Sequence, residues 1–440
     1  MQKLNIKKYY LSIASITILV LLIFTLMFFF TDYFKSSVQR EKKIYYVDNI
    51  SASLKFIIDR FNQLNEGRIE VVPIDLPFEK FSTNERKELL IRFLRSNSDK
   101  VDIFSVDQIW VPRFAKWTEP LDKYFLTDQR KHIINQIIQT CYFNGSLVAM
   151  PLYYDIGVLY YNDLALKKLS NYSKIKNELA NYITWERFIS ISKELKRINP
   201  SVYLFPADNY EGLMCSFVEM LGSQNEKLFV GDSVRINTHA AHNALQLLAD
   251  LVNNFTLSPV EVTNYRESEC YFNFVIKQIF FMKGWPGFFD WYKRNIKEED
   301  VSNIYLKAPM PHFRNGKPAS IIGGWNLMLS KFSTKKSEAM EFIKYLLSEE
   351  IQKMFFEKGG YLPVVSSIYS DTLFVKKYPD LQFYKNLLST GIHRPFSEKY
   401  TRCSDIIASY LHMAIMKKIK INEALEKAQS IINSNDIFIK

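Results

Sequence analysis

IYYVDNISASLKFIIDRFNQLNEGRIEVVPI, residues 44–74, decides the fold. Ile44-Tyr45-Tyr46-Val47 is a short run of aromatic and β-branched residues and reads as a strand. Behind possible caps at Ser51 and Ser53, Leu54, Ile57, Ile58, Phe61 and Leu64 recur at helical spacing. Residues 69–74 then return to a strand pattern. Outward from this unit, 84–94 reads as a second helix and 101–106 as a third strand. Strand and helix alternating at such spacing predict parallel strands joined by crossover helices. Open sheets of this kind bind ligands beyond the carboxyl ends of their strands, and Asp107 directly follows the third one.

Further along, strands at 147–150 and 157–161 flank a break, Pro151-Leu152-Tyr153-Tyr154-Asp155. The pattern is mainly helical from 184 to about 255, with Thr184 and Thr238 as caps. Short strands are expected at 279–282, 304–308 and 326–329. One long helix then carries Ala339, Phe342, Ile343, Leu346, Leu347, Ile351 and Met354 on one side and stops at Gly359-Gly360. The last helices fall at about 404–417 and 423–432. There is no internal repeat and no long linker, which points to lobes that share strand crossings rather than beads on a string.

A chain of 440 residues, 48% of them apolar, suggests two or three packing units with ample core. Only 14 glycines and 15 prolines exclude collagen-like, linker-dominated and disordered readings. The formal charge of +11 is uneven: residues 1–43 carry +5, leaving +6 over the remaining, well-mixed charges. No clustered basic stripe exists to follow a phosphate backbone, so nucleic-acid binding is set aside. Residues 11–30, LSIASITILVLLIFTLMFFF, hold no charge in 20 positions and would span about 30 Å as a helix. Lys3, Lys7 and Lys8 precede this run, which is longer than a cleaved signal's apolar core and ends without a small-x-small site. An uncleaved transmembrane anchor at 11–30 is expected, behind a basic N-terminus at 1–10. Cys141, Cys215, Cys270 and Cys403 lie far apart with no zinc-type spacing and read as isolated buried thiols.

Seven of the fourteen glycines lie between 284 and 360, and two clusters abut tryptophan: Gly284-Trp285-Pro286-Gly287 and Gly323-Gly324-Trp325-Asn326. Glycine permits close backbone approach, and an indole offers a broad apolar face. A pyranose has one apolar C–H face and a rim of hydroxyls, so indoles ringed by carboxylates and an arginine suit it. Asp107, Tyr153 and Asp155 are candidates for that rim; the alternative is that both tryptophans are core residues and the glycines turn residues.

SVDQIWVPRFAKWTEPLDKYF (105–125), GSLVAMPLYYDIGVLYYNDLAL (145–166), TWERFISISKEL (184–195), FFMKGWPGFFDWY (280–292), the long segment 306–371 and HRPFSEKYTRCSDII (393–407) occur in that order. Together they resemble the family 1 extracellular solute-binding proteins, the sugar-binding subunits of ABC importers, and among these the trehalose/maltose-type receptors. The resemblance covers about 44–435 and implies an α/β, two-lobed periplasmic-binding-protein clamp, type II-like, each lobe a mainly parallel sheet flanked by helices. It implies lobe 1 in 44–150 with about 309–345, and lobe 2 in about 155–305 with 365–440. By this similarity Asp107, Tyr153, Asp155, Trp285, Gly324, Trp325 and Arg394 match positions lining a sugar site. It also implies a carbohydrate ligand, permease and ATPase partners on other chains, an extracytoplasmic binding domain at the cell membrane, and no catalysis, cofactor or metal. In keeping with that, no Gly-x-x-x-x-Gly-Lys-Ser/Thr occurs.

Two departures stand out. Such receptors are usually soluble or lipid-anchored, whereas this chain has its own apolar run. After the first strand only Asp48 is a candidate acidic contact. Rival readings are a membrane-anchored carbohydrate sensor or partner protein without transport, or a glycosidase built on two of Asp102, Asp107 and Asp155, for which no second feature argues. His239 and His242 share a helix face but lack a third ligand.

Overall fold

The computed structural model describes residues 15–27 and 41–434 except 78–79, 82, 97–99, 232, 298 and 300. Ten strands make the two main sheets: β1 (Lys42–Asp48), β2 (Ile69–Asp75), β3 (Ile103–Asp107), β4 (Met150–Ile156), β5 (Val158–Asn162), β6 (Tyr203–Leu204), β7 (Phe281–Gly284), β8 (Tyr305–Ala308), β9 (Ser320–Leu329) and β10 (Gly391–His393). The opening unit folds as its pattern predicts. Ser51 caps helix Ala52–Leu64 by accepting from the Leu54 N–H, and Leu54, Ile57, Ile58 and Phe61 are buried. β1 runs parallel to both β2 and β3, in the order β10-β9-β3-β1-β2, with β4 on the other edge of β9.

The second sheet has the order β8-β5-β7-β6. Here the expectation of a mainly parallel sheet is corrected: β5 pairs antiparallel with both β7 and β8, and only β7 and β6 are parallel. The physical reason is the entry of β5. It is the direct continuation of β4 through Gly157, so it arrives from the first sheet rather than from a crossover helix. Helices Glu211–Ser223, His239–Asn253, Tyr400–Ile415 and Ile421–Asn433 pack together, and helices Lys336–Leu346 and Glu349–Gly359 pack on the first lobe against β1, β9 and helix Ala52–Leu64.

Three further expectations are corrected. The break at 151–155 is strand, because Leu152, Tyr154 and Ile156 alternate inward and Pro151, which has no N–H to pair, falls where a bulge shifts the register. The long helix after β9 is two helices, since Ser348-Glu349-Glu350 supplies a new N-terminus with its acidic first turn. The last strand expected at 326–329 begins at Ser320, so Gly323 and Gly324 are strand residues, and β10 has no counterpart in the sequence reading.

Buried side chains of both lobes form one continuous apolar core through the crossing strands. At the crossing, buried Glu219 accepts from Lys283 Nζ at 2.6 Å and from the Ile321 N–H at 2.9 Å. The four cysteines are buried and free. Residues 15–27 are helical and exposed, and Thr25 donates back to the Leu21 and Leu22 carbonyls. Among the described residues no helix is long and apolar enough to cross a membrane. The ends of the expected anchor, 11–14 and 28–30, and the basic segment 1–10 lie outside the described residues.

Candidate functional site

β9 changes partner part-way along one edge. Its first residues, Ser320–Ile322, pair in parallel with β10; from Trp325 onward it pairs antiparallel with β3. Both neighbours therefore point their carboxyl ends at the gap beside Gly323-Gly324, the kind of switch point where open α/β sheets hold ligands. Asp107 ends β3 and Arg394 follows β10, and they meet across the gap. Arg394 donates from Nη2 to Asp107 Oδ1 at 2.7 Å and from Nη1 to Asp107 Oδ2 at 3.1 Å. Its Nη1 also donates to Glu211 Oε1 at 3.0 Å, and the same oxygen accepts from the Tyr400 hydroxyl at 2.7 Å. Burial opposes the charge on Arg394, but Asp107, Cys215 and Glu211 outweigh it and hold the guanidinium's pKa above its ordinary value. Burial pushes the Glu211 carboxyl up, with Arg394 opposing.

The other edge of β9 carries β4 in a register that pairs Trp325 with Tyr153 and Gly323 with Asp155. A row of side chains thus runs Asp107, Trp325, Tyr153 across three strands, with Asp155 two residues further along the face that bears Tyr153. Trp325 is nearly buried: Arg86 lies over its ring with the guanidinium carbon 4.5 Å from the centroid, and Trp110 meets it edge-on at 5.6 Å. Arg86 also donates to Asp48, at 3.4 Å, and Asp48 accepts from the Tyr46 hydroxyl at 2.6 Å. Tyr153 stacks at a tilt on Tyr361, ring centroids 4.4 Å apart.

Trp285 follows β7 and reaches over from the second sheet. A β-carbon on Gly323 would lie 3.4 Å from the Trp285 ring and 3.5 Å from the Asp155 β-carbon, so glycine at 323 makes room for this meeting. Trp285 is held by its backbone, through the Tyr271 and Tyr160 hydroxyls, and by its indole Nε1, which donates to Glu267 Oε1 at 3.3 Å. Gly324 has φ +137°, and a β-carbon there would stand 2.7 Å from the Tyr153 carbonyl oxygen. The close approach that requires glycine is between β9 and β4.

Asp155 differs from its neighbours. Partly accessible within the cleft, it has no hydrogen-bond or ion-pair partner among the described residues. Burial pushes its carboxyl up to about 7; Asp107 and Glu267 add repulsion and Arg394 opposes. All seven residues expected from sequence are brought to this one gap. Arg86, Glu211, Glu267 and Tyr361 were missed; Glu211 and Glu267 each open a helix, a signal visible in sequence only as an acidic first turn. No group of three or more metal-type side chains is assembled among the described residues.

A separate cavity of about 760 Å³ is lined by Phe143, Asn144, Val218, Phe229, His393 and Phe396 among others. It is lined by none of the seven candidate site residues.

The family model for bacterial extracellular solute-binding proteins matches residues 57–382. A probable ABC transporter-binding protein of Deinococcus radiodurans is 27% identical over 358 residues, 78% of this chain and 82% of its own. Among solved structures, maltose-bound MalE3 of T. maritima superposes with a TM-score of 0.80 at 26% identity, covering 89% of this chain and 99% of that one. A solute-binding protein of Thermotoga lettingae bound with α-D-tagatose superposes with a TM-score of 0.77 at 20% identity, covering 90% and 99%, a likeness of fold.

Proposed function

Because the chain belongs to the bacterial extracellular solute-binding protein family, we propose that it is the receptor of an ABC importer that captures a carbohydrate between its lobes and delivers it to a permease driven by a separate ATPase. Lobe 1 is built on β1–β3 with the helices of 336–359, and lobe 2 on β5–β8 with the C-terminal helices. The binding domain stands outside the cytoplasm, and the apolar run 11–30 holds it to the membrane.

The observation that carries the reading is the meeting of Trp285, from one sheet, with Gly323 and Asp155 of the other. An indole beside a carboxylate that has no hydrogen-bond or ion-pair partner among the described residues fits a sugar's apolar face and hydroxyl rim. In this reading Trp285 is the stacking platform, Asp155 accepts from ligand hydroxyls, and Tyr153 with Tyr361 closes the side. Arg394 and Asp107 form a clamp whose groups largely satisfy one another and set the floor of the site; Trp325, covered by Arg86, is its wall. The matching family model is one of solute-binding proteins, and binding without turnover is the function proposed.

The test is calorimetry on the full chain in mild detergent against a panel of mono- and oligosaccharides. A carbohydrate should bind, and at a hundredfold excess over its Kd it should stabilise the fold by about 2.7 kcal/mol. If a peptide or phosphate ester binds and no sugar does, the reading is wrong.

A further inference from the structure

Charge in the cleft does not balance. Arg394 is taken up by Asp107 and Glu211, and Arg86 stands beside Asp48. Asp155 and Glu267 form no ion pair among the described residues; Arg394, the cation that acts on Asp155, is already held by Asp107 and Glu211. Asp155 and Glu267 also share one neighbour. The six-membered end of the Trp285 indole lies by Asp155 across Gly323, and the Nε1 end donates to Glu267, so one indole has a carboxylate at each end. Both carboxylates are partly accessible and each belongs to a different lobe's framework, β4 and helix Glu267–Ile276.

A neutral sugar stacked on this indole can donate hydroxyls to the carboxylates and leaves their charge in place. An ammonium on the same ring would supply the missing charge and would also lie against an indole face, where a cation is attracted. Resting on the carbohydrate reading above, we propose that the preferred ligand is a sugar bearing a primary amine, its ammonium paired with Asp155 at the Trp285 indole, with Glu267 strengthening the negative field from the far end. Burial, with repulsion from Asp107 and Glu267, pushes the Asp155 carboxyl up, and Arg394 only partly opposes it. The other charged groups around Asp155 are Asp107, Glu267 and Arg394, with Tyr153, Tyr154, Tyr160, Tyr271, Tyr361 and Tyr384 as neutral neighbours.

The experiment compares matched ligands on the full chain at pH 7: glucose, glucosamine and N-acetylglucosamine, and the corresponding β-1,4 disaccharides. An amino sugar should bind at least tenfold more tightly than its neutral counterpart, and N-acetylation should erase the advantage. Asp155→Asn should bring the ratio of amino to neutral affinity close to one, and Glu267→Gln should lower it severalfold. Melting temperature identifies any variant that fails to fold, and the ratio on the remaining variant then decides. If neutral sugars bind as tightly as their amino counterparts, this proposal falls and the carbohydrate reading stands. If no sugar of either kind binds, both fall.

Discussion

Asp155 combines partial access, no hydrogen-bond or ion-pair partner among the described residues, and a carboxyl pushed up to about 7 by burial, Asp107 and Glu267 against Arg394. An unfolded aspartate titrates near 3.9, so between about pH 4 and 7 the folded chain holds a proton that the unfolded chain has released. Stability contributed by this group is therefore lost as pH rises through that window. Asparagine does not titrate: unliganded Asp155→Asn should melt with the parent near pH 4 and a few degrees above it at pH 8, measured by calorimetric scans. Hydroxyls donating to Asp155 favour its ionised form, so sugar affinity should rise from pH 6 to 8 in the parent and stay flat in the variant. Arg394 behaves oppositely, because it is engaged on both sides. Arg394→Met should cost about 3–5 kcal/mol in denaturant unfolding by leaving Asp107 and Glu211 buried without their cation.

At the scale of elements the junction of β9 with β4 decides the site. Gly324→Ala would force a β-carbon against the Tyr153 carbonyl at 2.7 Å, in a backbone conformation alanine rarely adopts. It should lower the melting temperature by many degrees and weaken binding, whereas Gly287→Ala, where a β-carbon would meet nothing within 4 Å, should do neither. The glycine-tryptophan clusters were legible in sequence as something special. That Gly324 serves strand-on-strand contact was not, since its cause is a carbonyl some 170 residues away along the chain. The same holds for β10: three residues, Gly391–His393, show no period, and their strand character comes from pairing with Ser320–Ile322. The β-α-β opening was readable because its helix, cap and strands are fixed by neighbours in sequence. Glu267 escaped notice because its partner, the Trp285 indole, is met only after helix Glu267–Ile276 and β7 have packed.

For the whole molecule, the lobes are joined where β4 passes into β5 at Gly157, with Glu219 held against Lys283 and the Ile321 N–H at the same crossing. A β-carbon at Gly157 would stand 2.7 Å from Glu219 Oε1, so Gly157→Ala should disturb the relation of the lobes while each retains its sheet. Small-angle scattering with and without sugar would register this as a lost or altered change in dimensions. The exposed apolar helix at 15–27 has a consequence of another kind if the run 11–30 fixes the receptor to the bilayer that holds its permease. Receptor and permease then search for each other over a surface, and tethering of this sort corresponds to an effective concentration on the order of millimolar. A contact between them can be correspondingly weak, and each loaded receptor can let go quickly after delivery. Chain beginning at residue 41, released into the same compartment, should bind sugar with unchanged affinity yet restore uptake only when it is supplied near millimolar levels.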